Sequence, residues 1–177
     1  MGVAPGGHRT VVTRVGVVVG NPKPGSRTLA AATALATEIS GREPTVVVDV
    51  VTLGCGLLSP DDADVRDAID ALRSAQLLVV ASPTYKGSYT GVLKCFLDQV
   101  PVDGLAGAVA VPLMLGAGLG HALAPELLLK PVLVELGATC PTRGCFVLEA
   151  DHADRGAYAP WLERARPQLT AALSGRA

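Results

Sequence analysis

Three short stretches carry residue types that could do chemistry. The first, Gly20 to Thr28, reads Gly-Asn-Pro-Lys-Pro-Gly-Ser-Arg-Thr and opens a helical pattern. It supplies hydroxyls at Ser26 and Thr28, cations at Lys23 and Arg27, the amide of Asn21, and a helix N-terminus with free backbone donors. Those are the parts that hold a phosphate dianion. The stretch lacks Gly-Lys-Ser/Thr, so it is not a nucleoside triphosphate loop, and it lacks the Gly-x-Gly-x-x-Gly of a dinucleotide fold. The same parts would also make a plain strand-to-helix turn with a Ser or Thr cap.

The second stretch, Ser82 to Gly91, contains Pro83, Thr84, Tyr85, Lys86, Gly87 and Ser88. Tyr85 offers a flat face, Gly87 lets backbone approach a planar ligand, and nearby amides could bond to ring heteroatoms. The alternative is a helix entry with Tyr85 packed over the core. The third stretch, Gly116-Ala117-Gly118-Leu119-Gly120-His121, suits either close ligand approach or a tight turn. His121 fits a cap or polar contact better than acid/base work.

Other chemistry lacks its residues. There is no Gly-x-Ser-x-Gly elbow, since Gly87-Ser88-Tyr89-Thr90-Gly91 has its serine one place early. No His-Glu-x-x-His or similar ligand cluster occurs, and Asp61, Asp62 and Asp64 read as a helix N-terminus with a solvated face. Cys55, Cys95, Cys140 and Cys145 stand in apolar surroundings without the partners of a zinc set, so buried free thiols are expected. Three loops shaped for a flat phosphorylated ligand, without a nucleophile or metal set, favour chemistry carried by a cofactor.

The elements that must position these loops alternate along the chain. Apolar runs predict strands at Val11–Val19, Thr45–Val50, Leu77–Ser82, Val109–Leu115 and Cys145–Leu148. Helical patterns cover Thr28–Ser40, Asp61–Ser74, Thr90–Val100, His121–Leu136 and Pro160–Leu173. Ser59-Pro60-Asp61-Asp62 reads as a helix start, with Ser59 as cap, and Gly41 and Gly137 fall where left-handed C-caps belong. This alternation predicts an α/β fold: a doubly wound, five-stranded parallel sheet in the flavodoxin-like order 2-1-3-4-5, with helices on both faces and the ligand at the carboxyl ends of the strands. Pro112 falls inside an inner strand, where a local bulge would accommodate it.

With 177 residues, 49% hydrophobic but only 3% aromatic, the core must be built from Val, Leu and Ala. One domain over residues 11–175 is expected, after a flexible tail at residues 1–10 that resembles neither signal peptide nor myristoylation site. A net charge of −1 offers no attraction to nucleic acid or an anionic membrane. Gly104–Pro125 is uncharged and long enough to span a bilayer, but its glycines and Pro112 suit strand, loop and helix start instead. A cytoplasmic protein is expected.

From about Val15 to Val147 the chain resembles the NADPH-dependent FMN reductases, and most closely their alkanesulfonate-type members, which feed reduced flavin to a separate monooxygenase. The resemblance rests on Gly20–Thr28, on Ser82–Gly91 with Leu93-Lys94 and Leu97-Asp98, and on His121–Val132 with Leu129-Lys130-Pro131. It implies that Ser26, Arg27 and Thr28 bind the FMN phosphate. Asn21 and Lys23 stand where relatives have Ser and Arg. It implies further that Pro83, Thr84, Tyr85 and Gly87, with Lys86 and Ser88 in the same loop, line the isoalloxazine, and that Gly116, Ala117 and Gly118 close its far side. Lys94 and Asp98 look like a family feature, although a simple i,i+4 pair explains them too. Leu127 departs from the aromatic that sulfonate-type relatives carry nearby.

In such proteins a hydride passes from NADPH or NADH to FMN with the rings stacked, so the protein positions rather than reacts. Lys86, Arg143 and the basic residues of the first loop are candidates for meeting the 2′-phosphate that separates the two donors. The alternative is a reductase that keeps its FMN and passes electrons to quinones, azo compounds or metal oxyanions. A flavodoxin-like carrier fits less well with the near-neutral charge, and a regulatory domain without turnover is a fourth reading. Self-association as a homodimer or homotetramer is expected from the apolar composition and the resemblance, with Leu127, Leu128, Leu129 and Leu133 as candidate contacts.

Overall fold

The computed structural model describes residues 14–174; the expected tail at residues 1–10 and the start of the first predicted strand lie outside them. Strands β1 (Val15–Val19), β2 (Val46–Asp49), β3 (Leu77–Pro83), β4 (Val109–Gly116) and β5 (Cys145–Leu148) form one all-parallel sheet in the order β2-β1-β3-β4-β5. Every residue of β1, β3 and β4 is buried, which is why these strands read as unbroken apolar runs.

Helices α1 (Arg27–Ser40) and α5 (Ala159–Ser174) cover one face, where Leu35, Leu162 and Leu169 meet Val17, Val79 and Leu113. The other face is covered by α2 (Ala63–Arg73), α3 (Gly91–Leu97) and α4 (Lys130–Glu135), through Ile69, Leu72, Leu93, Phe96 and Leu133. Gly41 ends α1 at φ 75°, and Gly137, just past α4, has φ 89°, both as the sequence predicts. No helix among the described residues is long and apolar enough to cross a membrane.

Four expectations change. Helix α2 is capped by Asp62, whose carboxylate accepts from the amides of Asp64 and Val65, because a 3-10 stretch, Val50–Leu58, continues to Ser59 and uses its amide on Gly56. Pro112 needs no bulge: β4 pairs with β3 without interruption. The amides of Val109 and Ala110 point to opposite neighbours, Gln76 and Thr139. That alternation turns the Pro112 nitrogen toward β5, whose pairing with β4 starts one residue later at Leu113 and Cys145.

The fourth helical pattern is not one α-helix. A 3-10 turn at Leu119–His121 and a π-turn at Pro125–Leu129 precede α4. The Lys130 amide reaches back to Pro125 O, and the next residue, Pro131, has no amide to restore the α pattern. Within this segment Leu129 and Leu133 are core, whereas Leu127 is 62% and Leu128 39% exposed. Of the four thiols, all free, only Cys145 is buried, and Cys55 is exposed.

Candidate functional site

The three loops emerge at the carboxyl ends of β1, β3 and β4. Residues of β1 and β3 pair side by side while their crossovers run to opposite faces, so the first two loops flank the switch point of the sheet.

The first loop is built around the start of α1. Asn21 Oδ1 accepts the Lys23 amide at 2.9 Å, and its Nδ2 donates to Thr28 Oγ1 at 3.0 Å. Gly25 takes φ 61° with open space beside it, and its amide donates to Asp49 Oδ2 at 2.9 Å. Ser26 is the N-cap, its Oγ accepting from Leu29. The first helical bonds are those of Leu29 and Ala30 to Ser26 O, so the amides of Arg27 and Thr28 lie ahead of the helix's own ladder. Lys23 and Arg27 are exposed cations, while Thr28 is 2% exposed and its hydroxyl is engaged by Asn21. Thr28 therefore offers this loop its backbone more than its side chain.

The second loop is a tight reversal. Tyr85 and Ser88 exchange both backbone bonds, with Lys86 at φ 53° and Gly87 at φ 80° between them, the geometry of a type I′ turn. A non-glycine residue held in the left-handed region costs free energy, and such positions cluster where a loop must present its backbone. Tyr85 is 53% exposed, so it is not a lid packed on the core. Ser82 Oγ accepts the Thr90 amide and donates to Pro83 O, fixing the base of the loop.

Thr90 joins the two loops: its hydroxyl donates to Gly20 O and accepts from the Leu93 amide. Gly20 is there because nothing larger fits; a Cβ would stand 2.2 Å from Leu93 Cβ and 2.6 Å from Leu93 Cα. The third loop meets the second at two points. The Thr84 amide donates to Leu115 O, just ahead of the third loop, and a Cβ on Gly87 would lie 3.5 Å from His121 Cε1. Gly116 lies under the Phe146 ring, where a Cβ would be 2.7 Å from Cζ, while Ala117 and Gly118 are exposed. His121 is exposed too and makes no ion pair among the described residues.

Sequence reasoning missed three residues here. Asp49, the one acid in the apolar run 45–50, reaches back to Gly25; an acid closing an apolar strand run is a signal in itself. Glu149 sits 2.9 Å from Arg27, and Phe146 backs Gly116. No local pattern marks either, because their partners are more than a hundred residues or a whole strand away.

The donor set fits a phosphorylated planar ligand such as FMN. Two exposed cations, two free helix amides and an open glycine shape the first loop, and an exposed tyrosine with a left-handed turn shapes the second. Three buried side-chain oxygens among the described residues lack a partner: Thr84 Oγ1 lies in the second loop, and Asp49 Oδ1, at the end of β2, belongs to the carboxylate that holds the first loop at Gly25. Buried oxygens without partners are uncommon in finished protein and mark places built to receive one.

Comparison with known proteins identifies the family. A family model described as NADPH-dependent FMN reductase matches residues 13–153. The chain is 36% identical over 106 residues to FMN reductase (NADPH) of Escherichia coli (strain K12), covering 58% of this chain but only 56% of that protein. It is 34% identical over 140 residues to the NADH-dependent FMN reductase SfnF of Pseudomonas fluorescens (strain Pf0-1), covering 73% of each. The apo structure of NADH:FMN oxidoreductase EMOB superposes with a TM-score of 0.73 at 30% identity, over 92% of this chain and 87% of that one. Sheet order, loop chemistry and these matches converge: the chain belongs to the NADPH-dependent FMN reductase family.

Proposed function

We propose that this protein is an NAD(P)H-dependent FMN reductase that passes reduced flavin to a separate monooxygenase. The observation that carries the reading is the first loop, where the Arg27 and Thr28 amides lie ahead of the hydrogen bonds of α1 and the exposed cations Lys23 and Arg27 stand in the same loop. When bound, FMN supplies the redox chemistry, accepting a hydride from the nicotinamide. The chain's own residues bind and orient. Arg27, Lys23 and the amides at the head of α1 tether the phosphate, with charge-assisted bonds that favour FMN over riboflavin. Ser26 holds the helix start in place, and Asp49 holds Gly25 in the left-handed conformation that opens the loop. Pro83 to Ser88 form the seat for the ring, and Gly116 to Gly118 its far wall. Holding two reactants face to face supplies much of the acceleration for a transfer of this kind.

The protein is read as a single cytoplasmic domain over residues 11–175 that works as a homodimer or homotetramer. Of the leucines expected to make contacts, Leu127 and Leu128 are exposed, and with the exposed Leu119 and Leu123 they form the candidate contact surface.

The deciding experiment follows NADPH absorbance with purified protein, with and without added FMN. Oxidation that requires and scales with free FMN supports the reductase. Oxidation without added flavin, by a yellow protein given a quinone, would identify a bound-FMN reductase instead. No oxidation in either case would sink both.

A further inference from the structure

A cavity of about 470 Å3 lies at the free edge of the sheet, between β5 and α5, and shares no residue with the three loops. Its size falls in the range of small-molecule sites. Arg143, Arg164, Gln168, Trp161, Phe146 and Thr142 give it its character.

Four observations point to the same ligand chemistry. The lining is cationic without an acid: two arginines face the cavity, and neither makes an ion pair among the described residues. Glu126, whose carboxyl is influenced by the Arg143 charge, is spent on Lys130 Nζ at 3.0 Å and the Gly144 amide at 2.7 Å. Thr142 is 1% exposed, and its Oγ1 is the third buried oxygen without a partner. Aromatic surface is concentrated here in a chain that has little of it, with the single Trp and one of two Phe residues in this lining. The Trp161 indole is held by its Nε1 donating to Arg143 O at 2.9 Å, which fixes the ring while leaving its faces unbonded.

We propose that this cavity is a second binding site, for a small aromatic carboxylate. Its ring would lie among Trp161, Phe146 and the apolar floor of α5. Its carboxylate would meet the planar guanidinium groups of Arg164 and Arg143, which match it with paired bonds, and would give the Thr142 hydroxyl the acceptor it lacks. Phe146 is also the residue packed against Gly116, so an occupant here touches a ring that backs the third loop.

Trp161, as the only tryptophan, reports on this cavity directly. Benzoate is titrated into the flavin-free protein and followed by tryptophan emission and by calorimetry, with benzyl alcohol as the neutral analogue. Saturable binding of benzoate but not benzyl alcohol is expected, weakened about tenfold or more in Arg164→Gln and unchanged in Arg27→Ala. Arg164 is exposed, so its variant should melt with wild type, and Arg143→Gln gives a second, independent loss. Absence of saturable binding by both methods overturns the proposal. So does equal affinity for benzyl alcohol, or undiminished benzoate binding in both arginine variants.

Discussion

The Arg27 guanidinium stands 2.9 Å from the Glu149 carboxylate, so the cation at the head of α1 is held by an acid that follows the edge strand β5. Both side chains are substantially exposed, which makes the pair weak enough to yield to a phosphate. Arg27→Ala should raise the apparent constant for FMN about tenfold or more and leave that for NADPH nearly unchanged. Glu149→Gln should act in the opposite sense, lowering the FMN constant by about threefold as its competition is removed. Steady-state kinetics with each substrate varied in turn check both; equal effects of Arg27→Ala on the two substrates would falsify the tether.

Gly20→Ala should destabilise the protein by about 3 kcal/mol, because its Cβ would overlap the Leu93 backbone rather than a flexible side-chain end. Gly91→Ala is the control: it lies at the first position of α3 with nothing within 4 Å, and should be neutral or slightly stabilising. Urea unfolding of the two variants separates a steric cause from a general intolerance of change around α3.

Glu126 links the π-turn to the loop before β5. Burial pushes its carboxyl up, but the Gly144 amide and Lys130 outweigh that and hold it below the ordinary carboxylate range. A depressed carboxyl stabilises the fold above its unfolded pKa, and that contribution fades as pH falls through the folded value. Wild type should therefore lose stability on acidification below about pH 4.5, and Glu126→Gln should show a flatter acid limb and lower stability at neutral pH. Melting temperatures across pH test this; parallel curves for the two proteins would refute it.

Thiol reagents should sort the cysteines. Cys55 is exposed and should react in the native protein. Burial pushes the Cys145 thiol up to about 12 and the Cys140 thiol to about 11, so both should react only after unfolding. Counting thiols with and without denaturant, with Cys55→Ser as reference, decides the matter.

Leu128→Asp, and Leu127→Asp beside it, should shift sedimentation toward the monomer without loss of fold, since both side chains are exposed. Leu129→Asp should instead unfold the protein, because Leu129 is fully buried. An unchanged oligomer in both exposed variants would place any interface elsewhere.

What could be read from the sequence, and what could not, divides along the range of the interactions. Val-rich runs such as Val79-Val80 announce strands buried on both faces, and alternation with helices then restricts the topology to very few choices. Gly41 and Gly137 are legible because their requirement is local. The break in the fourth helical pattern escapes a periodicity argument, because a π-turn keeps the residues helical and changes only the bond to Pro125. Arg27 and Thr28 are legible as the opening of α1, yet the Asn21 bond that occupies the Thr28 hydroxyl is a matter of three dimensions. Leucines at 127, 128, 129 and 133 look alike in sequence, and only packing separates the two that face the core from the two that do not.

The contact between Gly20 and Leu93 has a consequence for selectivity. Two backbones pressed together, and bolted by the Thr90 hydroxyl, leave no slack between the loop at the head of α1 and the loop that follows β3. Under the proposed roles of these loops, the gap between tether and seat would behave as a ruler of fixed length. A ligand is accepted or refused by its span as much as by its end groups, and the adjustable side of the gauge is the exposed segment from Ala117 to His121.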